Sequence, residues 1–149
     1  MSQARWLSLP SAAMHFRLVD QVLERSADRV VAIKNVTLAE EYLQDHFPTF
    51  PVLPGVFMLE ALVQTGRELL ADRGCGRVVL GQVKGLKYGS FVRPGDTLRM
   101  EVTFDKETDG GWQLKGAATV VRPGGAAPDT ACTGRLIMRP VRIPALIGA

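Results

Sequence analysis

The sequence is poor in the residues that most often organise metal and redox chemistry, with two cysteines and two histidines among 149 residues. Cys75 and Cys132 lie far apart and in no ligand-like cluster, which excludes a thiolate metal centre and a disulfide scaffold and leaves free thiols as the expectation. No apolar run reaches the roughly 18 uncharged residues of a membrane span. Pro51, Pro54 and Glu60 interrupt the best candidate. The N-terminal stretch MSQARWLSLPSAAMHF holds one short apolar patch broken by Pro10 and makes a poor signal peptide, so a cytoplasmic protein is expected. Dense basic runs and interleaved aromatic and basic residues are also missing. The formal net charge of +3 therefore suits an acidic partner without marking a nucleic-acid binder.

What remains is an ordinary globular composition, 46% hydrophobic and 22% charged. The length suits one well-buried core, so one domain is expected over 1–149, with residues 1–14 as an N-terminal extension. There is no internal repeat. Apolar and polar residues alternate over Phe16–Glu24 and Arg29–Val36, two candidate strands joined by a turn at Ser26, Ala27 and Asp28. Thr37 with Glu40 has the form of a capping box and predicts a short helix over Leu38–Gln44. Four further strands are expected over Arg77–Lys87, Thr97–Lys106, Trp112–Val121 and Thr130–Arg139. In the second of these, Leu98, Met100, Val102 and Phe104 share one face. Asp109 and Gly110 predict a hairpin between the strands that flank them.

The stretch from Asp45 to Gly66 stands apart. Pro48, Pro51 and Pro54 stiffen a loop just after His46, and Pro54 then suits the first turn of a helix reaching Ala71 or Asp72, where Gly74 and Gly76 stop it. That helix is apolar on most of its circumference, yet Glu60, Gln64 and Arg67 form a narrow polar stripe. Two strands, a long buried helix and four strands point to an α+β fold with a helix packed on an antiparallel sheet.

Three groups here could do chemistry. Histidine exchanges protons near neutrality, with an ordinary pKa of about 6.5. A carboxylate such as Glu60 on an apolar helix has to be paired, protonated or at an opening. The first helical turn at Gly55 offers unpaired N–H groups to an oxygen gaining negative charge. The plainer alternatives are a His46 that packs or caps a turn, and a polar stripe that faces solvent.

His46-Phe47-Pro48, Pro51, Pro54-Gly55-Val56, Glu60-Ala61 and Gln64, in this order and spacing, resemble the active-site signature of the 3-hydroxyacyl-[acyl carrier protein] dehydratases of bacterial fatty acid synthesis. Leu18-Val19-Asp20, Lys34-Asn35-Val36 and Arg93-Pro94-Gly95-Asp96 extend the likeness over most of the chain. The resemblance implies a hot-dog fold, in which the curved sheet wraps the long helix. It also implies a homodimer with His46 of one protomer facing Glu60 of its partner, and admits a trimer of dimers. In that reading His46 and Glu60 are catalytic, and the Gly55 N–H polarises the thioester carbonyl. Val56 and Gln64 line the substrate site, acyl carrier protein is the partner, and no metal or organic cofactor is needed. Glutamate at 60 is similar to the dehydratase branch, whereas the isomerising branch usually carries aspartate. Thr49-Phe50 departs from the pattern, which usually has glycine directly after His-Phe-Pro. His15 is read as structural, Phe57, Met58 and Leu62 as core or an acyl tunnel, and Arg67, Lys84, Lys87 and Arg93 as solvated surface or carrier contacts. A hot-dog thioesterase and a non-catalytic acyl-binding subunit are the alternative functions.

Overall fold

The structure, a computed structural model, describes residues 16–142. His15 and the extension expected over residues 1–14 lie outside the described residues. The elements are β1 (Gln21–Arg25), β2 (Arg29–Asn35), α1 (Tyr42–Asp45), α2 (Gly55–Asp72), β3 (Val78–Tyr88), β4 (Thr97–Thr108), β5 (Gly111–Val121) and β6 (Asp129–Pro140). The strands form one antiparallel sheet in the order β1-β2-β4-β5-β6-β3. Helix α2 touches β2, β3, β4, β5 and β6. Five strands about 4.8 Å apart are wider than a helix of about 10 Å, so the sheet has to curl to reach it from all of them. This is the hot-dog arrangement.

The alternation read in the sequence sets the inner face. Leu98, Met100 and Val102 of β4, Leu114, Ala118 and Val120 of β5, and Cys132, Leu136 and Met138 of β6 are buried, and α2 meets them with Met58, Ala61, Leu62, Leu69 and Leu70. Burial pushes the Cys132 thiol up to about 11. Helix and sheet come closest at two glycines. A Cβ at Gly66 would lie 3.0 Å from Leu114 Cδ1, and one at Gly116 would lie 3.2 Å from Leu62 Cδ1. The helix ends where Gly74, at φ 74°, lets its N–H reach the Ala71 carbonyl and the Cys75 N–H reach the Leu70 carbonyl, both at 3.1 Å. Among the described residues, no helix is long and apolar enough to cross a membrane.

Two elements differ from the sequence reading. Strand β1 starts at Gln21 rather than Phe16 because the backbone at 16–18 is bonded to a side chain: Leu18 N–H donates to Gln64 Oε1 at 2.8 Å, and the Phe16 carbonyl accepts from Gln64 Nε2 at 3.0 Å. Helix α1 is shorter and later than the expected Leu38–Gln44 because the capping box does not close. Thr37 Oγ1 accepts from Ala39 N–H at 3.3 Å, while the Glu40 carboxylate is taken by Lys34 Nζ at 2.5 Å and the Tyr42 hydroxyl at 2.8 Å.

On the outer face, Arg29 Nε donates to Glu101 Oε1 at 2.7 Å and Arg99 Nη1 to Glu101 Oε2 at 3.2 Å. The Arg29 hydrogen bond, with help from Arg99, holds the Glu101 carboxyl below the ordinary carboxylate range. A lowered folded value stabilises the protein above the unfolded carboxylate pKa of about 4.3, and that stability is lost as pH falls through the folded value. Glu101→Gln is therefore expected to lower Tm slightly at pH 7, with the gap to the unsubstituted protein closing below about pH 4. Thermal melts at stepped pH check this, and a gap that stays constant on acidification contradicts it.

Candidate active site

His46 follows α1 directly and is half-buried. Its loop folds back on itself: Val52 N–H donates to the His46 carbonyl at 2.9 Å, and His46 Nδ1 lies 3.1 Å from the Val52 carbonyl oxygen. A carbonyl only accepts, so Nδ1 is the donor in this contact, and in the neutral ring Nε2 presents a lone pair. The Phe47 ring stacks on the imidazole at 4.4 Å. Phe47 and Phe50 exchange two backbone hydrogen bonds of 3.1 Å, which puts Pro48 and Thr49 at the tip, and the His46–Phe47 peptide is cis. No described residue other than glycine has a positive φ, so Thr49 sits in this loop without left-handed strain. The Leu53 N–H then bonds the Val92 carbonyl at 2.8 Å and docks the loop on the segment before β4.

Pro54 caps α2, and its carbonyl accepts from Phe57 N–H at 2.9 Å and Met58 N–H at 3.3 Å. The N–H groups of Gly55 and Val56 precede these bonds and have no acceptor inside the helix. Glycine at 55 lets the Tyr88 ring close against the helix start, since a Cβ there would lie 2.9 Å from Tyr88 Cε1 and the ring would have to shift. Partial desolvation of the otherwise half-exposed Tyr88 raises its phenol above the ordinary value. Sequence reasoning missed Tyr88, ending that strand at Lys87; nothing in the local spacing marks a contact made across 33 residues of chain, the difference between 88 and 55. Val56 is exposed beside it.

Glu60 lies on the second turn of α2, half-buried. Its Oε1 accepts from Gln64 Nε2 at 3.3 Å and from Arg67 Nη1 at 3.5 Å, and Arg67 Nε also bonds the Val78 carbonyl at 3.1 Å. Gln64 is buried, so the polar stripe is a hydrogen-bonded network that ties the helix to residues 16–18, not a solvated face. His46 and Glu60 do not bond each other within the chain. The partners of His46 are Val52 and Phe47, and those of Glu60 are Gln64 and Arg67. Met58 and Leu62 are buried in the core, and Phe57 packs edge-on against Phe16 at 5.1 Å and Tyr42 at 4.8 Å.

The basic residues divide. Arg67 and Arg93 are close to the site, with Arg93 stacked on Phe50. Lys84 and Lys87 line a cavity of ≈ 310 Å³ together with Lys115 and Arg135. Because Leu114 and Leu136 point inward, strand alternation turns Lys115 and Arg135 to the face away from α2. Chemically, the site offers an oriented base at His46, unpaired donors at the helix start and a carboxylate held by an amide and a guanidinium. Among the described residues, no three His, Cys, Asp or Glu side chains gather as metal ligands.

The ApeI-like family model, described as ApeI dehydratase, matches residues 22–122. The 3-hydroxyacyl-[acyl-carrier-protein] dehydratase FabZ of Oenococcus oeni is 47% identical over 107 residues, covering 69% of this chain and 77% of that protein. The enzyme of the same name from Verminephrobacter eiseniae is 39% identical over 135 residues, covering 85% and 89%. Among solved structures, the dehydratase heterocomplex ApeI:P from Xenorhabdus doucetiae superposes with a TM-score of 0.64 at 18% identity, covering 81% of this chain and 96% of that one. The hexameric thioesterase y2039 from Yersinia pestis gives 0.61 at 14% identity, covering 74% and 89%. At these identities the two structures speak for the fold.

Gln64→Leu removes the acceptor of the buried Leu18 N–H and one donor to Glu60. An orphaned buried group costs about 1–3 kcal/mol, so denaturant unfolding should show a loss of that size and the Leu18 amide should exchange faster with solvent. Unchanged stability and exchange would contradict the network.

Proposed function

The chain belongs to the family of the 3-hydroxyacyl-[acyl-carrier-protein] dehydratases, and on that premise we propose that it converts (3R)-3-hydroxyacyl thioesters on acyl carrier protein to trans-2-enoyl thioesters, in fatty acid or related acyl-chain synthesis. The observation that carries the reading is the contact of His46 Nδ1 with the Val52 carbonyl, which in the neutral ring leaves Nε2 to act as a base. In the reaction, Nε2 takes the proton from the carbon next to the thioester. The Gly55 N–H donates to the thioester carbonyl as negative charge builds there. Glu60, as the acid, gives its proton to the 3-hydroxyl, the C–O bond breaks, and water leaves as the double bond forms. Proton return from the imidazolium to the carboxylate resets both groups. Exposed Val56 sits beside the thioester, and Gln64 serves by holding the Glu60 carboxylate.

The working unit in this reading is a homodimer in which His46 of one protomer faces Glu60 of its partner. Three observations support it. His46 and Glu60 bond other groups within their own chain. Among the described residues, strand β3, 11 residues long, lies at an edge of the sheet with no further strand beside it, an edge on which a second copy could pair. Phe47, Phe50, Val56, Tyr88 and Phe91 are exposed around the site, as a surface awaiting cover would be. Trimers of dimers are a further state of such units. The acyl carrier protein is the partner, a cytoplasmic setting suits the chemistry, and Arg67 and Arg93 are the cations nearest the site.

The test is a short enoyl thioester followed for loss of conjugated absorbance and for free thiol. Hydration without thiol release is expected, whereas thiol release indicates a thioesterase and neither signal a binding subunit. His46→Ala and Glu60→Gln should each lower the rate by roughly 10²–10⁴-fold while leaving the protein folded. Hydration at the unsubstituted rate by either variant would overturn the assigned roles.

A further inference from the structure

We propose that Phe50, gripped by Arg93 and Phe91, is a positioning residue that sets the orientation and tautomer of His46. The inference rests on the dehydratase reading for its kinetic test and on geometry alone for its spectroscopic one.

Phe50 occupies the place where the chain departs from its family's usual loop, and the structure gives its ring two partners. The Arg93 guanidinium stacks over it at 4.1 Å from the ring centroid, and the Phe91 ring meets it edge-on at 5.9 Å. Both partners stand on a fixed base. Arg93 N–H donates to Asp96 Oδ2 and Asp96 N–H to the Arg93 carbonyl, each at 2.9 Å. Asp96 is buried, and its carbonyl accepts from Val36 N–H at 3.0 Å at the end of β2. The Phe91 carbonyl accepts from Arg122 Nη2 at 3.1 Å.

On its other side Phe50 reaches the base through two links. Its backbone exchanges both hydrogen bonds with Phe47, and Phe47 is bonded to His46 in sequence and stacked on its ring. The ring is 41% exposed, so it contributes little to the core, and its contacts are lateral ones that hold the loop tip against residues 91–93. Without them the tip keeps its internal bonds but loses its grip on the turn. The 3.1 Å contact between His46 Nδ1 and the Val52 carbonyl then competes with other ring orientations. In those orientations Nε2 carries the hydrogen for part of the time and cannot accept the substrate proton.

Phe50→Ala and Arg93→Ala are each expected to lower kcat about tenfold with KM within about twofold, since small misplacements of a catalytic group act mainly on the chemical step. The double variant should lose no more than Phe50→Ala alone, because that substitution already removes the Arg93 contact. Phe50→Tyr, which keeps the ring, should restore kcat. Long-range ¹H–¹⁵N spectra of the unliganded protein should show His46 as one tautomer with hydrogen on Nδ1, and a mixture in Phe50→Ala. The His46 signal is assigned by its loss in His46→Ala. An unchanged kcat in Phe50→Ala, or a tautomer unchanged by the substitution, overturns the proposal. If the unsubstituted protein hydrates no enoyl thioester, the dehydratase reading fails, and the tautomer measurement still decides the role of Phe50.

Discussion

Burying a helix on most of its circumference is the constraint from which the rest of the architecture follows. Helix α2 presents apolar side chains in nearly every direction, so a flat sheet would leave half of them in water. The sheet curls until five strands reach it, and Gly66 and Gly116 set how closely the two can approach. Two parts of the helix depart from this apolar packing. Its first turn keeps N–H groups unbonded within the helix, and one stripe carries Glu60, Gln64 and Arg67. These two places are the helix's share of the candidate site, while His46 stands on the loop before it.

The polar side chains His46, Glu60, Gln64 and Arg67 are each held by backbone or by another polar group. Val52 fixes the His46 ring, Gln64 is anchored to Phe16 and Leu18, and Arg67 braces Glu60 while bonded to Val78. A buried amide fully occupied in this way gives a rigid support, whereas one with a missing partner would be a liability. The tie from Gln64 to residues 16–18 also makes the start of the sheet part of the site's scaffold. Losing that tie would be felt at Glu60 through a shared side chain, not through a distant chain of packing.

Much of this was legible in the sequence. Strands β3 to β6 were placed within a residue or two, since alternation over ten or more residues leaves little freedom in where a half-buried strand begins or ends. The departures at β1 and α1 share one cause. In both, a backbone or capping group bonds to a side chain outside its own element, the distant Gln64 for residues 16–18 and Lys34 on the preceding strand for Glu40, and apolar alternation carries no record of such partners. His46, Gly55 and Glu60 could be picked out because they share one short stretch. The Val52 carbonyl, Tyr88 and the grip of Arg93 and Phe91 on Phe50 emerge only when separate segments meet.

Within one chain the base and the acid bond to different partners, and the proposed function has the complete site assembled between two copies. Subunit complementation tests this most directly. Inactive His46→Ala and Glu60→Gln proteins are unfolded together, refolded as a mixture and assayed for enoyl-thioester hydration. Random pairing into symmetric dimers makes half of them mixed, each with one intact site, so about a quarter of the unsubstituted activity should return. A mixture as inactive as its two components would contradict a site shared between protomers.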